Sequence, residues 1–184
     1  MKRIVSFVIA LAALGVFASA CSKKATPGTP SNSQPTTFFF HADALPANEL
    51  APNNVPSGHA EAAGRAFASV TLKVTRDGAG TITNGTLDYG VAVSSFPAGT
   101  NFTNMHIHRG DATVSGAVVI NSGLANGEFQ LVNGSGSIQK LNNPVSASLA
   151  TEIINNPSGF YFNLHSTSFP SGVARGQIAL TSSQ

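Results

Sequence analysis

The segment Asn104-Met105-His106-Ile107-His108-Arg109-Gly110-Asp111 is the densest polar stretch of the chain. Successive side chains on an extended strand point to opposite faces. If Met105 and Ile107 face a core, His106 and His108 share the outer face, roughly 6.5–7 Å apart along the strand. Two imidazoles so placed hold one metal ion when a neighbouring strand supplies a third ligand. Such a strand is offered by Tyr161-Phe162-Asn163-Leu164-His165. With Phe160, Phe162 and Leu164 inward, His165 lies on the opposite face and becomes the third ligand. Asp111 or Glu128 can supply a fourth, and copper or zinc suits an imidazole set. The same residues fit a plainer reading, in which the histidines are solvated or hydrogen-bonded to a neighbouring carboxylate or carbonyl. His41 and His59 stand in looser context and receive no role.

Arg175-Gly176-Gln177 is the second polar cluster. Val173, Arg175 and Gln177 would share one strand face, with Ala174, Gly176 and Ile178 on the other. A guanidinium there suits a carboxylate or a row of backbone carbonyls, and glycine beside it lets another segment approach closely. Bracing is the favoured reading. No Gly-x-Ser-x-Gly elbow and no phosphate loop ending in Gly-Lys-Ser/Thr occurs, so serine-hydrolase and nucleotide-binding signatures are missing. The acids are scattered singly, which gives little support to a paired-carboxylate glycosidase. No catalytic residue is assigned.

These side chains need strands to position them. Ala66, Ala68, Val70, Leu72 and Val74 alternate with Phe67, Ser69, Thr71, Lys73 and Thr75, the period of a half-buried strand. Leu87, Tyr89, Val91 and Val93 alternate likewise. Further strands are expected at 38–42, 103–108, 117–121, 128–132, 159–165 and 173–181. Short strands separated by Gly, Pro and Asn predict an all-β fold, an antiparallel sandwich or barrel of immunoglobulin-like or superoxide-dismutase-like type. Val145, Leu149 and Ile153 recur at spacing four, which predicts one short helix over 144–155 with Asn143 as its cap. Gly134-Ser135-Gly136-Ser137 reads as a hairpin bend.

The front of the chain follows different rules. Lys2 and Arg3 precede an almost unbroken apolar run, Ile4 to Phe17, and then Ala18-Ser19-Ala20 before the single cysteine, Cys21. A basic start, a short apolar core and a small-residue exit describe an export signal over 1–20, and the run is shorter than the ~20 residues a bilayer-spanning helix needs. Residues 21–36 are rich in Ser, Thr, Pro and Gly and read as a flexible linker. The remaining domain is expected over 37–184. Losing Lys2 and Arg3 leaves as many basic as acidic side chains, eight of each, so nothing attracts nucleic acid. With Cys21 the only cysteine, disulfides and thiolate metal sites within the domain are excluded.

Two resemblances follow. Ala18-Ser19-Ala20-Cys21 resembles the lipobox of bacterial lipoproteins, which implies diacylglycerol on the Cys21 sulfur and a fatty amide such as palmitate on its amino group. That would place the protein in the cell envelope, on the outer membrane of a Gram-negative cell given Ser22. The domain resembles the CHRD (chordin) family in four blocks, in the family's order. They are Leu45 to Pro52, with Glu49 as its acid; His106-Ile107-His108-Arg109-Gly110 followed by Gly116-Ala117-Val118-Val119; Gly159 to Ser166; and Gly172 to Gln177. Val173 stands where the family often carries an acid. The resemblance implies an all-β extracytoplasmic domain, of a kind found in secreted regulators that bind growth factors. The His-Ile-His motif is also similar to one in copper/zinc superoxide dismutases. Those enzymes use six histidines and a disulfide, whereas this chain has five histidines and one cysteine, which excludes a complete dismutase site.

The leading expectation is a lipid-anchored binding or structural module that meets an envelope protein or surface ligand without catalytic turnover. The competing expectation is a copper- or zinc-binding protein using His106, His108 and His165.

Overall fold

Period-two burial organises the domain. The computed structural model describes Gln34 and Thr36–Gln184; the expected signal, Cys21 and most of the linker lie outside these residues. The strands are β1 (Thr37–Ala44), β2 (Arg65–Arg76), β3 (Ile82–Ser94), β4 (Asn101–Arg109), β5 (Val118–Asn121), β6 (Phe129–Gln130), β7 (Gly136–Val145), β8 (Phe160–Ser166), β9 (Ala174–Gln177) and β10 (Ala179–Ser183), with one α-helix, α1 (Ala147–Asn155). The first sheet has the order β10-β1-β2-β3-β7; the second runs β5-β4-β8-β9, with β6 also beside β4. All pairings are antiparallel. The expected all-β sandwich is what forms.

The two inner faces make one core. Phe38, Phe40, Ala66, Val70, Leu72, Leu87 and Val91 come from the first sheet, and Phe102, Met105, Ile107, Phe160, Phe162 and Leu164 from the second, all buried. Their alternation with polar residues is why the chain settles as strands, and burying each large side chain contributes about 1.5–3 kcal/mol. The buried Tyr89 phenol donates to the Ile120 carbonyl at 3.0 Å, which ties the sheets across the core.

Three elements differ from expectation. The helix begins at Ala147, not at residue 144, because the Ser146 hydroxyl caps it by accepting from Leu149 N–H at 3.3 Å. Asn143, Pro144 and Val145 instead end β7, where the Asn143 amide donates to the Leu87 carbonyl at 2.9 Å. Proline is tolerated there because β7 is an edge strand with no outer neighbour in its sheet. The stretch 134–137 is not a hairpin bend: Gly134 and Ser135 end the passage from β6 in the second sheet, and Gly136 and Ser137 begin β7 in the first. Finally, 173–181 divides into two strands: β9 joins the second sheet and β10 the first, with buried Ile178 at the crossing.

The site depends on what covers the second sheet. Every residue of β8 is buried, on both faces. The inner face meets the core. The outer face lies beneath the 45–64 segment, which carries two 3-10 turns, Pro46–Asn48 and Ala60–Ala63, and beneath the loops around 110–116 and 167–172.

Candidate metal centre

β4 sends Met105 and Ile107 fully into the core, so His106 and His108 emerge on the opposite face. β8 lies alongside, pairing His165 with Asn104, Asn163 with His106 and Tyr161 with His108. The three imidazoles converge. Ring centroids are 4.9 Å apart for His106–His165, 5.5 Å for His106–His108 and 6.4 Å for His108–His165. One ring nitrogen from each lies within 4.8 Å of the others. Strand spacing brought them together, yet the face is not solvated: His106 and His165 are buried and His108 is half-buried.

Backbone carbonyls fix which nitrogens carry protons. His108 Nδ1 lies 3.0 Å from the Gly116 carbonyl oxygen, and His165 Nδ1 lies 2.8 Å from that of Pro170. A carbonyl only accepts, so both Nδ1 atoms are protonated and both Nε2 atoms of the neutral rings keep their lone pairs. His106 Nδ1 is 3.2 Å from His165 Nε2, so His106 donates there. His108 Nε2 is buried and meets no hydrogen-bond partner among the described residues. An unsatisfied buried acceptor costs about 1–3 kcal/mol. Orienting a metal-binding imidazole through an Nδ1–H bond to a carbonyl is the usual way its ligand nitrogen is aimed.

Burial keeps the rings neutral. It is the main cause that pushes His106 down to about 4, with the charges of His165 and His108 adding to it. His108 and His165 are also lowered, again mainly by burial and against the opposing pull of their carbonyl partners. Neutral imidazole is the form that binds metal.

A polar frame surrounds the cluster. Tyr161 stacks on His108 with centroids 4.7 Å apart, and its hydroxyl accepts from Gly116 N–H at 3.2 Å. The Arg175 guanidinium sits over the other part of this stack, 3.6 Å from the Tyr161 centroid, and donates to the carbonyls of Asp111 and Val114. Gln177 donates to the carbonyls of Gly110 and Ser158 at 3.0 and 2.8 Å. Gly176 is required beside them, since a Cβ there would stand 2.4 Å from the Asp43 carbonyl oxygen. The closing motif therefore braces loops through carbonyls. Val173 is buried in the core, and Arg175 has no carboxylate hydrogen-bond partner among the described residues.

Glu49 joins the frame from the covering segment. Its Oε1 accepts from the Asn163 amide at 2.7 Å, while Asn163 Oδ1 is buried without a partner among the described residues. Desolvation raises the Glu49 carboxyl to about 7, against the lowering effects of Asn163 and Arg175. A raised acid favours folding fully below its unfolded value near 4.5 and loses that contribution as pH rises through 7. Glu49→Gln is therefore expected to be more stable than the parent by about 3 kcal/mol at pH 8.5, with the gap closing by pH 5. Urea denaturation at both pH values reads this difference; a gap independent of pH would contradict the assignment.

The carboxylates proposed as a fourth ligand are elsewhere. Asp111 turns back on Thr113, accepting from its N–H and hydroxyl at 2.8 and 2.7 Å. Glu128 accepts from Ala125 N–H at 2.9 Å and from Lys140 at 2.9 and 3.0 Å. Arg109 points away to an exposed pair with Glu152, Nε to Oε1 at 2.9 Å, and Gly110 serves only through its backbone. The sequence put Tyr161 and Asn163 on the strand face of His165 without giving them a role, and it missed Glu61, whose carboxylate accepts from the buried Ser166 hydroxyl at 2.6 Å.

Comparison with curated proteins and with solved structures finds no match. A family comparison does. The CHRD domain matches residues 40–178, a span that contains β2 to β9, the three histidines and the Arg175 frame, and on that match the chain belongs to the CHRD domain family.

Proposed function

We propose that this CHRD domain is a metal-binding module of the cell envelope, holding one copper or zinc ion between His106, His108 and His165. One observation carries the reading. Three neutral imidazoles converge, two with Nδ1–H groups fixed on carbonyls, and a buried lone pair of His108 is left without a protein partner. Evolution of a merely structural histidine cluster would be expected to satisfy that nitrogen. Turnover is not part of the proposal: the cluster contains no carboxylate or thiol, and the surrounding polar groups are spent on bracing.

The same face supports the broader role of a binding or structural module, for which Arg175 and Gln177 hold the covering loops. Lipid on Cys21, carried by the lipobox-like Ala18-Ser19-Ala20-Cys21, would anchor the domain. Titration of the purified full-length chain with Cu and Zn at neutral pH is expected to give one ion per chain; no uptake of either would end the metal reading. Cys21→Ser is expected to move the protein from the membrane fraction to the soluble fraction, and unchanged membrane attachment would remove the lipid anchor.

A further inference from the structure

The three rings offer nitrogen and nothing else. Among the described residues no carboxylate or thiol falls within the cluster. Three acids of the surrounding segments are engaged: Glu49 with Asn163, Glu61 with Ser166 and Asp111 with Thr113. A fixed positive charge stands on the same face. Arg175 is 2 % exposed and lies against Tyr161, which in turn stacks on His108. The other orphaned acceptor, Asn163 Oδ1, faces the backbone at Gly172, where a Cβ would stand 2.8 Å from it, and as an amide oxygen it brings no charge.

No ligand in the cluster brings a negative charge to an entering ion, and the Glu49 carboxyl, the buried acid on this face, is held on Asn163. The desolvation cost of an ion grows with the square of its charge, so a dication costs about four times as much as a monocation of equal size. Repulsion from Arg175 also doubles with the charge. Zn(II) held by three protein ligands takes a water as its fourth and Cu(II) prefers a tetragonal set, so either dication needs donors beyond the three rings. A cuprous ion brings half the charge to be balanced by the same three nitrogens. We infer that the His106–His108–His165 site selects monovalent copper, Cu(I), over Zn(II) and Cu(II), an inference that rests on the metal-binding reading above.

The test uses the full-length chain without oxygen, with copper kept cuprous by ascorbate and competed with bicinchoninate. Zn(II) and Cu(II) are competed in parallel against chelators of their own, and the His165→Ala and His108→Ala variants, checked for fold by circular dichroism, serve as blanks. Cu(I) is expected to bind more tightly than either dication, and both variants are expected to lose it. Zn(II) or Cu(II) binding as tightly as Cu(I) would overturn the selectivity and leave a three-histidine metal site standing. Failure of all three ions to bind would overturn both.

Discussion

His165→Ala is expected to weaken metal binding by more than about a hundredfold, since loss of an outer-shell partner alone typically costs 10–100-fold and here a ligand itself is removed. The variant should still fold. His165 makes two hydrogen bonds through its ring, to the Pro170 carbonyl and to His106. Pro170 is exposed, so water can take over its carbonyl. The stability cost should therefore stay near 1–2 kcal/mol. His41 is a suitable control, because it lies on β1 in the other sheet, where its ring stacks on Phe67 and meets the Thr181 hydroxyl at 3.1 Å. Chelator competition on His165→Ala and His41→Ala separates the two cases: loss in the first and parental affinity in the second. Equal affinity in both would send the metal to another place on the chain.

Arg175→Ala is expected to cost about 3–5 kcal/mol of stability. A desolvated cation over an aromatic ring contributes about 2 kcal/mol, and hydrogen bonds to a charged group contribute about 1.5–3 kcal/mol each. Arg175 combines the stack on Tyr161 with bonds to the Asp111 and Val114 carbonyls. Removing it frees the 110–116 loop, and that loop carries the Gly116 carbonyl that aims His108. Arg175→Lys should rescue little, because a single ammonium cannot both stack flat and reach two carbonyls. Urea denaturation decides the matter; a loss below about 1 kcal/mol would remove Arg175 from its bracing role.

How much of this was readable follows the physics of each element. Strands with one buried face announce themselves, and β2, with Ala66, Ala68, Val70, Leu72 and Val74 all inside, was plain. The histidine convergence was readable for the same reason, since period two put His106, His108 and His165 on one face of two strands that pair. β7 was hidden because it is an edge strand with few buried positions, so no alternation marks it, and Pro144 looked like a helix start. The division at Ile178 was hidden because the apolar alternation runs unbroken through the change of sheet. Asp111 and Glu128 misled as ligands for another reason. Short-range partners, Thr113 two residues on and Ala125 three residues back, compete with any distant metal, and spacing alone does not weigh that competition. Burial of the histidine face was hidden as well. It depends on Glu49 reaching Asn163 across more than a hundred residues of chain.

Crystals of the full-length chain soaked with Cu(I) under argon, with diffraction recorded on both sides of the copper absorption edge, address the metal site most directly. One anomalous peak is expected, bonded to one ring nitrogen each of His106, His108 and His165 at about 2.0–2.1 Å, the range of metal–imidazole bonds. An anomalous map with no peak between these rings at full copper loading, or with its main peak elsewhere, would contradict it.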